Sequence, residues 1–561
     1  MKSIKYFAFF LACALMAGCS GSSSSVDPDH TPTPSPTPTP SDTTSQKTDP
    51  TTSDLDNFVA PTYEDNYTSI SDWSKRSQWN LANVHDPTVM KAADGYYYMY
   101  QTDASYGNAH TNHGHFHGRR SKNLVDWEYL GSTMTNAPAW VKDSLNSIRK
   151  RQGLDAITSP NYGYWAPCAR KVSDNLYRMY YAIVVDNYIK TGKANTDANF
   201  DGSWTERAFI GMMETTDPST NKWTDKGYVI CSASDKGKSD WKRVSGNWDG
   251  YYKFNCIDPS FIITPEGEHW LIYGSWHSGI AAIQLDPSTG KTKDKLGEPW
   301  DIGTGTDTRY GKLIFTRTKD NRWQGSEAPE VVYHDGYYYL FMAYDALAVP
   351  YNTRVLRSKS ITGPYVTMDG TVTDASQGAN DNPTVLTHPY KFSQGYGWVG
   401  ISHCCVFDDG SGNWYYASQQ RFPENVSGIN ASNAIMMGGV RSIKWMSNGW
   451  PAVMPERYSA VPTVAITDAQ MAGTYEFINL KYQYGVQQTS TEMVLGTNHT
   501  VTSGDWKGQA WSFDATKNIL TIGTHELMVQ RETDWEASPR KATIVFSGAE
   551  GSVSYWGKKT K

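Results

Sequence analysis

The sequence predicts an all-β chain: a five-bladed β-propeller followed by a small C-terminal β-barrel or sandwich. Three observations carry that expectation. From Trp73 to about residue 458 no convincing amphipathic helix can be traced, only short aromatic or β-branched runs broken by Gly, Asp, Asn and Pro. Trp, Tyr and Phe make up 13% of the chain, which suits strands and sugar stacking alike. One unit, a polar turn followed by an aromatic strand, recurs five times.

In chain order the copies are Asp94-Gly95 before YYYMY, Ser173-Asp174-Asn175 before LYRMYY, and Glu266-Gly267-Glu268 before HWLIYGS. Asp335-Gly336 before YYYLFMAY and Gly410-Ser411-Gly412 before NWYYAS complete the set. Their spacing of roughly 70 to 90 residues is that of four-stranded blades. Trp-bearing segments between them, such as SKNLVDWEYLG (121–131) and TTDPSTNKWTDKG (215–227), supply outer strands.

Around this body lie three further regions. Lys2 and Lys5 precede an apolar run from Tyr6 to Met16 and then Ala17-Gly18-Cys19. That run is too short to span a bilayer, and residues 1–18 read as a lipoprotein signal peptide with lipid attached at Cys19. Residues 19–60 are a Ser/Thr/Pro-rich tether, extended and semi-rigid. The propeller is expected over 61–460 and a separate β-module, carrying Trp506, Trp511, Trp535 and Trp556, over 461–561. The expected protein is a monomer at the bacterial cell surface or in the periplasm, membrane-attached only through Cys19.

A net charge of −6 with no basic tract excludes nucleic acid as a partner. Of seven Cys, Cys13 leaves with the signal and Cys19 takes the lipid. Cys168, Cys231, Cys256, Cys404 and Cys405 remain, an odd set with no disulfide framework. Cys404 and Cys405 read as buried thiols.

In a propeller the first strand of each blade lines a shared axis. Ten to twelve positions before the aromatic strands (a roughly constant offset) stand Asp86 in VHDPT, Trp165 in YWAPC, Asp258 in IDPSF, Glu327 in SEAPE and His403 in ISHCC. Proline follows directly or within two residues in the first four. It is expected to hold the preceding residue in extended backbone. Three carboxylates, an indole and an imidazole would then face one cavity. Glycoside hydrolysis needs such a set: an acid for the leaving oxygen, a carboxylate for water, and a third to tune the acid. Each motif alone reads equally well as a turn or a solvated loop; equivalent positions in five repeats do not.

VHDP, YWAP, IDPSF with YGSWHSGI, and SEAPEVVYHDGYYYLF resemble glycoside hydrolase family 43, most closely its endo-α-1,5-L-arabinanases. The resemblance covers roughly residues 80 to 455. It implies a five-bladed propeller, arabinan as substrate and an inverting mechanism. By position it implies Asp86 as general base, Asp258 as pKa modulator and Glu327 as general acid, with Trp165 and Ser275 contacting sugar. His403 matches a histidine that helps hold a hydrated calcium ion in the channel, so the resemblance also implies calcium. Two positions depart from the family pattern. Cys168 stands where Asp commonly follows WAP, and Ser402-His403-Cys404 replaces Gly-His-Asn. His403 alone cannot hold a hard cation, and a buried hydrogen-bonded histidine is the other reading.

His110, His113, His115 and His117 crowd HTNHGHFHGRR and read either as a transition-metal site or as a flexible rim of the sugar groove. Segments 134–162 and 186–207 could leave the groove open for endo cleavage or block one end for exo cleavage. An exo-acting arabinofuranosidase or xylosidase and a non-catalytic glycan-binding lipoprotein are therefore the alternatives to an endo-arabinanase.

Overall fold

The computed structural model describes residues 49–561 apart from 194–195, 204, 245–251, 320 and 323. The signal peptide, Cys19 and most of the tether lie outside the described residues.

Each of the five turn-and-aromatic units folds as the first hairpin of an antiparallel meander. Thr88–Lys91 pairs with Tyr97–Tyr100, Tyr162–Ser173 with Leu176–Val185, and Ser260–Ile263 with His269–Tyr273. Ser326–His334 pairs with Tyr337–Tyr344 and Val399–Asp408 with Trp414–Arg421. Four of these turns place a glycine at left-handed φ, between 81° and 90° at Gly95, Gly267, Gly336 and Gly412, which a side chain would oppose. Two further strands complete each blade, and the third blade adds a short fifth strand, Asp307–Thr308.

The first strands of successive blades are neighbours in a closed circle, so they line the axis. The second strands lie between blades stacked face to face, which explains why most of their aromatic residues are buried, Trp270, Tyr337 and Trp414 being partly so. Closure is reinforced outside the axis, where Tyr67 donates its hydroxyl to the Met436 carbonyl and Gly438 N–H to the Leu81 carbonyl.

The expectation that no amphipathic helix follows Trp73 fails. Ala139–Gln152, within segment 134–162, is a 14-residue α-helix ending on Gly153 in the left-handed region. It buries Val141, Leu145 and Ile148, a stripe only three residues wide that the surrounding aromatic pattern hides. Arg149 anchors it to buried Glu206 at 2.5 Å.

After the propeller, strands from Gly473–Leu480 to Val553–Lys559 make an eight-stranded, nearly closed barrel sheet. Its core includes Phe477, Trp511, Leu527 and Phe546. Trp556 is wholly buried, and its indole N–H donates to the Val453 carbonyl of blade five at 2.8 Å. Tyr390–Lys391 of the propeller pairs in parallel with Gln488–Thr489. Lys558, buried, lies between Glu456 and Asp534 at 3.0 and 2.9 Å.

Candidate active site

Each first strand carries one of five residues in the left-handed region, two positions before its start in blades one and three and within it in blades two, four and five, and these five residues are the structural equivalents of one another. They are Asp86, Ala166, Asp258, Ala328 and His403, with φ of 45°, 46°, 54°, 53° and 52°. The first four precede a proline, yet none is extended, contrary to the expectation from X-Pro sterics. The backbone instead kinks at the rim of the axis, with register shifts in blades two, four and five. Such kinks re-aim side chains at strand ends and concentrate at functional sites. The true repeat position is therefore Asp86, Asp258 and His403 in three blades, while Trp165 and Glu327 stand one residue before it in the other two.

The charged members meet. Asp86, 8% exposed, has Oδ1 3.0 Å from His403 Nδ1 and Oδ2 2.9 Å from His85 Nδ1. Thr102 donates its hydroxyl to Asp86 Oδ2 at 2.7 Å and accepts the Ala166 N–H at 2.7 Å, tying the carboxylate to blade two. Burial opposes ionisation of Asp86, but His403 and His85 outweigh it and hold the carboxyl well below its ordinary range. Burial also opposes charge on His403, yet Asp86, Asp258 and Glu327 raise it to about 9.

Asp258 accepts the N–H of Ala328, the residue after Glu327, at 3.0 Å. Burial, with the negative charges of Glu327 and Asp86, pushes it up to about 7 against the pull of His403 and that N–H. Glu327 accepts from Tyr351 Oη at 2.7 Å on Oε1, and from Ser275 Oγ at 2.8 Å and Trp276 Nε1 at 2.9 Å on Oε2. Burial raises it from its ordinary value despite the Tyr351 and Ser275 hydrogen bonds. Trp165 is 41% exposed at the rim. Its indole lies against Gly163, where a Cβ would come within 2.8 Å of Nε1.

Sequence reasoning did not select His85, Thr102, Trp276 or Tyr351. His85 and Trp276 sit inside the quoted motifs, whereas Thr102 and Tyr351 are contributed by other segments and left no local signal.

The donors do not suit the calcium ion implied by the family resemblance. His403 Nδ1 is committed to Asp86 Oδ1 at 3.0 Å, which leaves that residue at most one nitrogen for a metal. The next layer down the axis is Thr88, Cys168, Ser260, Glu330 and Cys405, in which two donors are thiols and Glu330 is already paired with Arg170. A hard cation prefers six or more oxygens, roughly.

The histidine-rich stretch is not a groove rim. His117 lies on strand His115–Ser121 and is fully buried, stacked on His110 with centroids 4.1 Å apart. Trp73 stacks on His113 at 3.8 Å, and His115 on Tyr164. Cys168, Cys231, Cys256, Cys404 and Cys405 are all free and buried.

Residues 81–451 match the model of glycosyl hydrolases family 43, and residues 455–557 that of a C-terminal lipocalin-like domain. An extracellular endo-α-(1→5)-L-arabinanase of Thermotoga petrophila is 24% identical over 524 residues, spanning 87% of this chain and 95% of the relative. A second such enzyme, from Bacillus subtilis, is 22% identical over 513 residues with the same coverage. An extracellular exo-α-(1→5)-L-arabinofuranosidase of Cellvibrio japonicus is 24% identical over 383 residues, 66% of this chain and 86% of its own length. In structure, the endo-1,5-α-L-arabinanase of Thermotoga petrophila RKU-1 superposes with a TM-score of 0.64 at 22% identity, covering 86% of this chain and 99% of its own. That likeness is one of fold.

Proposed function

Because this chain belongs to glycosyl hydrolase family 43, we propose that it is an inverting endo-arabinanase cutting α-1,5-linked L-arabinan. The observation that carries the reading is the split in protonation among three buried carboxyls at one rim. Asp86 is held ionised while Glu327 and Asp258 are held up, the division an acid–base pair needs at neutral pH.

In the reaction, Asp86 takes a proton from a water molecule as its oxygen bonds to the anomeric carbon. The bond from that carbon to the leaving sugar oxygen breaks with its electron pair going to the oxygen, which takes the proton of Glu327. Asp258 and Glu327 repel each other's negative charge, which disfavours ionising both at once, and Asp258 fixes the backbone after Glu327 through the Ala328 N–H. Ser275, Trp276 and Tyr351 orient the acid, and His403 and Thr102 orient the base. Trp165 offers a flat apolar face to a sugar ring. The two endo-acting relatives described above are extracellular proteins, which supports a secreted enzyme, with lipid at Cys19 retaining it at the cell surface as a monomer.

The test is a time course on debranched linear arabinan. Oligomers should appear before monosaccharide, and NMR should show the first-formed anomer inverted. Monosaccharide alone from the outset would favour exo action, and initial retention of configuration would refute the mechanism.

A further inference from the structure

Two residues below the kinked positions, each first strand turns a side chain toward its neighbour, and the five contacts close into a ring. Thr88 Oγ1 accepts the Ala169 N–H at 3.1 Å, and Cys168 Sγ accepts the Phe261 N–H at 3.3 Å. Ser260 Oγ accepts the Val331 N–H at 3.2 Å, and Glu330 Oε1 the Val406 N–H at 3.0 Å. Cys405 Sγ accepts the Val89 N–H at 3.2 Å, which returns to blade one. Every acceptor stands two residues after the left-handed position and every donor three residues after it in the next blade. Cys168 and Cys405, which have no catalytic part, are thus two of five equivalent hydrogen-bond acceptors.

This ring contains one carboxylate, Glu330, and it is buried at 4% exposure. An unpaired buried charge is costly. Arg170, four residues after Ala166, supplies the counter-charge. Its Nη2 pairs with Glu330 Oε1. Its Nη1 donates to Thr88 Oγ1 at 3.0 Å and to the Ala169 carbonyl at 2.9 Å, and lies 3.7 Å from Cys405 Sγ. Ser260 Oγ holds the other Glu330 oxygen at 2.9 Å. All five blades therefore reach this one ion pair, directly beneath the carboxylates of the rim.

We propose that the Arg170 guanidinium, locked to Glu330 within the ring, is the permanent cation of the channel, and that it makes a divalent metal unnecessary for the fold and the site. Arg170 is a positioning residue: it fixes the floor on which Asp86, Asp258 and His403 stand.

The test uses the full purified chain, with bound metal and melting temperature as readouts, so the outcome does not depend on which polymer is cut. Wild type dialysed against EDTA should carry no calcium by elemental analysis and melt within about 1 °C of the undialysed protein, with or without millimolar calcium chloride. Arg170→Met should lower the melting temperature by about 5 °C or more. Adding Glu330→Gln to Arg170→Met should recover more than half of that loss, which a purely steric role for Arg170 would not allow. Arg170→Lys, which keeps the charge, covers the case in which Arg170→Met does not fold, and should melt between the two. Stoichiometric calcium in wild type whose removal lowers melting overturns the proposal. So does an Arg170→Met variant as stable as wild type.

Discussion

At the rim of the axis the five strands present Asp86, Trp165, Asp258, Glu327 and His403; two or three residues deeper they present Thr88, Cys168, Ser260, Glu330 and Cys405. The rim set has left-handed backbone at, or one residue after, each member, three carboxyls with divergent proton affinities and one raised histidine. The deeper set has regular strand pairing, a single compensated charge and, at every member, a hydrogen bond accepted from a backbone N–H of the next blade. The difference teaches how a repeat protein separates tasks. The rim holds electrostatic conflict and conformational strain, which the chemistry uses, while the ring beneath it is satisfied and keeps the strained residues in place.

The contrast breaks first at the rim. Asp86→Asn and Glu327→Gln should each lower kcat by about 10³-fold or more while leaving polymer binding measurable. Near-normal rates in either would remove the base and acid assignments. Asp258→Asn should cost less, about 10²-fold, because Asp258 acts through Glu327.

Asp258 also separates strain from stability. Its folded pKa of about 7 lies above the ordinary carboxylate value near 3.9. The native state therefore holds the extra proton between those pH values. The stability from this group is full below about pH 4 and is lost as pH rises toward 7. Asp258→Asn escapes that loss, so it should melt about 2 °C above wild type at pH 8 and level with it at pH 4. An equal shift at both pH values would show that the carboxyl bears no buried charge. At the exposed end of the rim, Trp165→Ala should raise KM about tenfold with a smaller change in kcat, since its contact serves bound sugar in general.

The propeller was legible in the sequence because its signal is repeated: five polar turns before five aromatic strands survive local ambiguity in any one of them. The positions of Asp86, Asp258 and Glu327 were legible for the same reason. What escaped was whatever depends on an extra residue or a distant partner. A kink inserted after Trp165 and Glu327 shifts them by one from Asp86, and nothing local to YWAP or SEAP marks it. Thr102 and Tyr351 reach the carboxyls from segments without a motif. His110 and His117 looked like a mobile loop through their Gly neighbours, whereas Trp73, a preceding residue, packs them into the core. The ring left only a trace, in Cys168 and Cys405.

That trace supports the most discriminating prediction. Cys405 is buried among apolar residues of blades five and one, so packing alone would make Cys405→Ala the milder change and Cys405→Ser the harsher, because serine buries a hydroxyl. The ring reverses this order. Serine keeps an acceptor for the Val89 N–H, while alanine leaves a buried donor unpaired, at a cost of about 1–3 kcal/mol. Cys405→Ala should therefore melt about 2–4 °C below Cys405→Ser in calorimetry. The opposite order would mean that the sulfur fills space and that the fifth link of the ring carries no weight in closing the propeller.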